Sequence, residues 1–368
     1  MKRLLLVGGG HAHVHVLAAL AEAPFVGTEV TLISPYPRQI YSGMLPGWIA
    51  GDYSIDDCAI PIDRLAQRAG VRFVQTACSG LDLDTKVAHC ANGEQVAFDL
   101  VSIDSGPTLA LADLAGAELY AIAIRPIESF VAAWPDLLER ARQAPAAFKL
   151  AIVGDGAAGT ELAFAIQSRF ASERLAQAQV ALIGANSAPL AGFPTRLRNT
   201  VSQLLAKRGI ATLANRRVLA FLPGKLRLSD ETLFDADASL IVTGAAAPCW
   251  PAASGLACDE AGFIRLTRTL QSVSHPFVFA AGDVAAYADP RPKSGVFAVR
   301  AGPVLANNLR AACQGASLQR WTPQAQALYL LSTGHRHALA TRGSWSFGGN
   351  WVWRWKDWID RRFMQRFS

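Results

Sequence analysis

Two glycine-rich turns carry the chemistry of this chain. One lies in Arg3-Leu-Leu-Leu-Val-Gly-Gly-Gly10, the other in Lys149-Leu-Ala-Ile-Val-Gly-Asp-Gly156. Each follows a short apolar strand and opens an alanine-rich stretch with helical spacing. Backbone N–H groups at a helix start point outward with partial positive charge, so such turns seat a pyrophosphate. In the first turn Gly8 permits the bend and Gly10 a close phosphate approach, while the third position of G-x-G-x-x-G holds His13. The second turn, Gly154-Asp-Gly156-Ala-Ala-Gly159, is complete. Two such turns imply two dinucleotides, the usual arrangement for passing a hydride from a nicotinamide to a flavin.

Other polar residues refine this picture. No acid closes the strand after either turn: Ser34 follows Ile33, and Gly184, Ala185 and Asn186 follow Ile183. An unphosphorylated ribose is therefore not selected in the usual way, and Arg196 or Arg198 could meet a 2′-phosphate. Glu161 falls one helical turn past the second glycine loop. It sits either beside a nicotinamide or simply as a helix-start acid favoured by the dipole. His11, His13 and His15 alternate, which on a helix places neighbours roughly 200° apart, so they do not converge and no metal site is expected. The six cysteines show no Cys-x-x-Cys, and they read as buried or idle thiols rather than a disulfide framework.

The chain around these residues must fold into α/β layers that present both turns. Its 368 residues with 51% hydrophobic content suffice for two or three well-buried domains, and 17% charged residues exclude wholesale disorder. Strands are expected at Glu29–Ile33, Val71–Val74, Asp99–Ile103, Leu150–Val153, Val180–Ile183, Leu240–Val242 and Phe277–Ala281. Helices are expected at Asp63–Ala69, Ala157–Phe170 and Val296–Ala312, and a β-meander over 78–98. Residues 1–115 and 263–343 then form one discontinuous dinucleotide-binding domain. Residues 116–262 form a second, inserted in it, and 344–368 a separate tryptophan-rich basic element. The fold class is two Rossmann-like three-layer domains plus a C-terminal amphipathic helix. No apolar run is long enough to span a bilayer, and the N-terminal Leu4–Val7 run reads as a first strand rather than an export signal, so a cytoplasmic location is expected. The net charge of +6 is concentrated in residues 342–368, where six basic residues face two acidic ones. A charge so localised marks one surface, not a nucleic-acid partner.

Several segments resemble the two-dinucleotide-binding flavoproteins, or pyridine nucleotide–disulfide oxidoreductases, in the branch of type II NADH dehydrogenases and sulfide:quinone reductases. They are Val7-Gly-Gly-Gly-His-Ala12, Val153-Gly-Asp-Gly-Ala-Ala-Gly-Thr-Glu-Leu-Ala163, Val242-Thr-Gly244 and Phe279-Ala-Ala-Gly-Asp-Val-Ala285. A narrower resemblance, to a subgroup also found fused to selenophosphate synthase-like domains, rests on His11-Ala-His-Val-His-Val16, Tyr41-Ser-Gly-Met-Leu-Pro-Gly47, Lys293–Pro303 and Trp353–Arg362.

The resemblance implies FAD in the first domain and NADH or NADPH in the second. It places cofactor contacts along Gly8, Gly10, His11, Ala12, Ser34, Arg38, Ser42, Leu45, Pro46, Ala77, Cys78, Ser105, Gly106, Gly154, Gly156, Gly159, Gly244, Gly282, Asp283, Val296 and Phe297. Asp283 would bond the ribityl chain, Leu45 and Pro46 would line the flavin ring, and the helix from Val296 would aim its N-terminus at the flavin O2. Glu161 and Lys293 are the candidate catalytic groups, Lys293 being equally readable as a solvated loop lysine. The family's redox cysteine pair is missing from the first helix, and residues 105–147 contain no cysteine, so dithiol chemistry is disfavoured. Electrons would pass from the flavin to a quinone or similar diffusible acceptor. The rivals are a flavoprotein oxidising a sulfur or selenium compound and a non-catalytic dinucleotide-binding partner module.

Drawn as a helix, residues 351–367 gather Trp351, Val352, Trp355, Trp358, Ile359, Phe363 and Phe367 on one half, with Arg354, Asp357, Asp360, Arg361 and Gln365 opposite. Tryptophan and arginine together suit an anionic membrane surface, here the inner face. Packing on the chain's own body or in a homodimer is the alternative.

Overall fold

A computed structural model describes residues 1–111 and 114–367. Ala112 and Asp113 of the expected first domain and Ser368 of the C-terminal element lie outside the described residues. The chain opens with β1 (Lys2–Val7), α1 (His11–Glu22) and β2 (Thr28–Ile33), and reaches β3 at Leu100–Ile103. The second unit carries β4 (Lys149–Val153), α2 (Ala157–Ser172), β5 (Gln179–Ile183) and β6 (Ala238–Ile241). The chain then returns as β7 (Val278–Ala280) and α3 (Gly295–Gln314), and ends with α4 (Asn350–Met364).

The first sheet runs β7-β3-β1-β2 and then Arg72–Val74, all parallel. The return of β7 to β3 makes the first unit discontinuous in sequence. The second sheet runs Ile122–Ala123, β6, β4, β5 and Ala211–Leu213, again parallel. Strands covered by helices on both faces need continuous apolar runs, and Leu4–Val7 and Leu150–Val153 are buried throughout. Residues 78–97 form the expected antiparallel meander. A second one at 218–235 and the helix Ile127–Gln143 had no counterpart in the sequence reading.

His13 shows why the first turn tolerates a missing glycine. Its ring is fully buried, hydrogen-bonded to Gly8 O at 2.6 Å and to Ser102 Oγ at 2.8 Å, so it ties α1 to both central strands. Gly8 itself has φ +93°, and a Cβ there would run into the Asp104 main chain.

The C-terminal part is a unit of its own that starts before residue 344. Tyr329–Ser332, Ala338–Arg342 and Trp345–Gly349 pair antiparallel, and α4 packs on them. The helix does not keep the halves of its sequence wheel. Val352, Lys356, Asp360 and Met364 of α4, and Phe367 just beyond it, turn inward, while Trp351 and Trp358 are each 56% exposed. An inward Lys–Asp pair, invisible to a hydrophobicity count, rotates the buried face away from Trp351 and Trp358.

Candidate functional site

A cavity of about 2310 Å³ runs between the two parallel-sheet units and under α4. That exceeds a single small-molecule site several-fold, since such sites span ~300–1,000 Å³. At one end lie Gly154, Asp155, Gly156 and the first turn of α2, with Gly184, Arg216, Arg217 and Gly244. Gly154 has φ +122°, and Gly159 lets α2 sit against it, because a Cβ at 159 would overlap Gly154 O. Gly156 has nothing within 4 Å of a built Cβ, so the seat for a pyrophosphate is open. Arg196 and Arg198 do not line the cavity; the arginines at its second-unit end are Arg216 and Arg217.

In the middle lie Ser42, Leu45, Pro46, Asp283, Lys293, Val296 and Phe297. Helix α3 begins here: its N-cap residue Ser294 makes no side-chain capping bond, and Gly295 and Val296 of its first turn line the cavity. Asp283 pairs with Arg125 at 3.9 Å. Burial pushes the Asp283 carboxyl up, with Arg125 and Lys293 opposing it. Lys293 Nζ donates to Ala285 O at 2.5 Å and lies 3.5 Å over the Phe263 ring, and burial lowers its pKa. It is therefore a held group, not a solvated loop lysine.

The other expected cofactor positions lie beyond the cavity wall. Gly8, Gly10, His11 and Ala12 surround the first turn. There Asp104, at the exit of β3, accepts Ala12 N at 2.7 Å and His13 N at 3.1 Å. Burial pushes Asp104 up to about 7. Gly282 N donates to Tyr287 Oη at 2.8 Å. Ser34 bonds Tyr36 O, Arg38 is clamped to Glu128 by two 3.0 Å bonds, and Cys78 turns its thiol to Gly80 O. Ala77 O accepts Ala91 N within the meander, and Ser105 and Gly106 leave β3 beside Gly8. The structure thus gathers Ser42, Leu45, Pro46, Gly154, Gly156, Glu161, Gly244, Asp283, Lys293, Val296 and Phe297 at one cavity, and leaves the rest outside it. A dinucleotide with a flat apolar head fits the residues present: Leu45 and Pro46 line the same cavity as the start of α3, and the half-buried Asp283 carboxyl lines it too, for a polyol chain.

On the far wall sequence reasoning found Glu161 but missed the partners around it. Glu161 Oε1 accepts Ser332 N at 2.7 Å, and burial pushes its carboxyl up to about 7, with Lys356 and the Ser332 bond opposing. Lys356 Nζ donates to Asp360 Oδ2 at 2.6 Å and to Gly43 O at 2.5 Å. Their side chains are 9% and 6% exposed. Tyr41 stands beside Asp360, and its ring lies 4.7 Å from that of Phe363, tilted by 32°. Glu161, Lys356, Asp360 and Tyr41 thus form one titratable cluster at the cavity, with Tyr53 Oη on Asp357 tying α4 down outside it. Burial pushes His11 and His15 down to about 4, so both are neutral near pH 7, and each keeps a buried Nε2 without a hydrogen-bond partner among the described residues.

The chain belongs to the pyridine nucleotide-disulphide oxidoreductase family, whose profile matches residues 2–302. It is 26% identical to a probable ferredoxin reductase, CtmF, of Castellaniella defragrans, over 88% of this chain and 76% of that one. It is 23% identical to the demethylphylloquinone reductase NdbB of a Synechocystis strain, over 76% and 71%. The fold is that of NDH2 from Plasmodium falciparum, solved with NADH: TM-score 0.83 at 13% identity, over 99% of this chain and 98% of that one.

Proposed function

We propose that this chain is an FAD-dependent NAD(P)H dehydrogenase that hands electrons to a quinone-like acceptor. The observation that carries the reading is one continuous cavity, lined by no cysteine among the described residues, which joins an open dinucleotide turn to an uncapped helix end and a titratable far wall. Bound FAD would supply two-electron relay between the nicotinamide and the acceptor. Gly154, Gly156 and the α2 N-terminus would hold the nicotinamide dinucleotide, while Leu45 and Pro46 position the flavin ring. Asp283 would hold the ribityl chain, and α3 would stabilise negative charge at the ring edge. The first step needs positioning rather than an acid or base. Acceptor reduction also consumes protons, and Glu161, raised to about 7 and bonded by Ser332 N, would deliver them.

The exposed aromatics Trp345, Phe347, Trp351 and Trp358, with the exposed Arg354, Arg361 and Arg362 of the same helix, would rest the C-terminal unit on an anionic membrane surface, where such an acceptor dissolves. No helix among the described residues is long and apolar enough to cross a membrane. Anaerobic stopped-flow tests the whole reading: NADH or NADPH should bleach the visible flavin absorption within a turnover, and a short-chain quinone should restore it. Flavin that stays oxidised under both nucleotides defeats it.

A further inference from the structure

Ile183 ends β5 and is followed by Gly184, where an acid commonly reads the adenine ribose of a dinucleotide. In three dimensions a carboxylate is there all the same. Asp155, the middle residue of Gly154-Asp-Gly156, folds its side chain over the end of β5. A Cβ built on Gly184 would overlap the Asp155 carboxyl group, so that group fills the space from which a side chain at 184 would start. Gly184 has no left-handed backbone, so the glycine is required by this contact and not by chain geometry.

The carboxylate is held firmly. Asn186 Nδ2 donates to its Oδ1 at 2.9 Å, and the Asp155 carbonyl accepts Leu190 N at 2.8 Å. The residue is 8% exposed and lines the cavity, and its Oδ2 takes no donor among the described residues. Two cations share this end. Arg216 is committed to Asp230 at 2.7 Å, whereas the Arg217 side chain is exposed and has no partner among the described residues.

We infer that Asp155 is the ribose-reading acid of the second unit, moved from the strand end into the glycine turn, and that it selects NADH over NADPH. This rests on the NAD(P)H reading above. The free Oδ2 accepts a hydrogen bond from the ribose 2′-hydroxyl. A 2′-phosphate at the same place brings like charge against a desolvated carboxylate, and Arg217 is the uncommitted cation among the described residues there to offset it.

The test uses the flavin-loaded protein. Dissociation constants of NAD⁺ and NADP⁺ are measured by calorimetry, and kcat/KM for flavin reduction is measured with NADH and NADPH. Wild type should favour the unphosphorylated nucleotide by about tenfold or more in both readouts. D155N should erase about 10- to 100-fold of that ratio, the range expected for a hydrogen bond to a charged group. The exchange D155G/G184D returns the acid to the strand end and should restore the ratio, which separates recognition from folding damage. R217A should leave the preference in place or widen it. A wild type that prefers NADP⁺, or a D155N ratio within twofold of wild type, overturns the inference while leaving nicotinamide oxidation intact. Failure of both nucleotides to bind or to reduce the flavin overturns both.

Discussion

Lys356 offers the sharpest perturbation of the far wall. Its ammonium is buried between the Asp360 carboxylate at 2.6 Å and the Gly43 carbonyl at 2.5 Å. Lys356→Met keeps the aliphatic stem and leaves the Asp360 side chain, 6% exposed, without its cation. Breaking a buried pair from one side costs about 3–5 kcal/mol, because the surviving charge has lost its solvation and its partner. At ~1.3 °C per kcal/mol for a chain of this length, the apparent Tm should fall by roughly 4–7 °C. The double variant Lys356→Met, Asp360→Leu removes both charges and should recover most of that loss. The same substitution has a second, independent consequence. Lys356 is the leading influence holding the Glu161 carboxyl down against burial. Without it the Glu161 pKa rises above its present value of about 7. A proton donor works while protonated, so acceptor reduction should fail as pH rises through that pKa, and in the double variant the failure should move to higher pH. Differential scanning fluorimetry reads the first effect; the pH profile of flavin reoxidation by a quinone reads the second. A single variant within about 2 °C of wild type, or a pH limb that stays put or moves down, would refute the placement of this cluster.

Glu161→Gln should leave flavin reduction by nicotinamide within about twofold and slow reoxidation by quinone about 10²–10⁴-fold, as loss of one positioned acid does, in single-turnover stopped-flow at pH 7. Asp283→Leu should yield protein largely free of flavin, read from the ratio of visible to protein absorbance; full flavin occupancy contradicts the ribityl role. Asp104 and Glu161 are both raised to about 7 from ordinary values of 3.8 and 4.5. Their contribution to stability is complete below the ordinary values and is lost as pH rises through 7. Tm should therefore decline between pH 5 and 8, and Asp104→Asn should flatten that slope. Replacing Trp351 and Trp358 with Ser should abolish flotation with anionic liposomes without lowering Tm, since both side chains are more than half exposed; unchanged flotation removes the membrane proposal.

What could be read from the sequence was whatever the backbone alone dictates. A buried parallel strand must be apolar throughout, and a pyrophosphate turn must be glycine, so Leu4–Gly10 and Leu150–Gly159 announced both units and their order. The return of the chain through Phe277–Ala281 was legible for the same reason, and β7 pairs with β3 as that order requires. Side-chain geometry across the chain was not legible. Asp155 read as the filler of a motif, because nothing in a linear string says that its carboxyl lies over Gly184, 29 positions later. Asp104 caps α1 from a strand nearly a hundred residues downstream. The helical wheel of residues 351–367 failed in a more instructive way. It ranked faces by hydrophobicity, but Lys356 and Asp360 are four apart and neutralise each other, so the pair could go inward at a cost that two separate charges could not bear. That inward turn frees Trp351 and Trp358 for an outer surface and brings a cation within reach of Glu161. Under the proposed function the C-terminal unit would carry two jobs on opposite faces of one helix: its outer face would meet a lipid surface, and its inner face would set the protonation of the cavity wall. A quinone-like acceptor would have to pass from the first to the second.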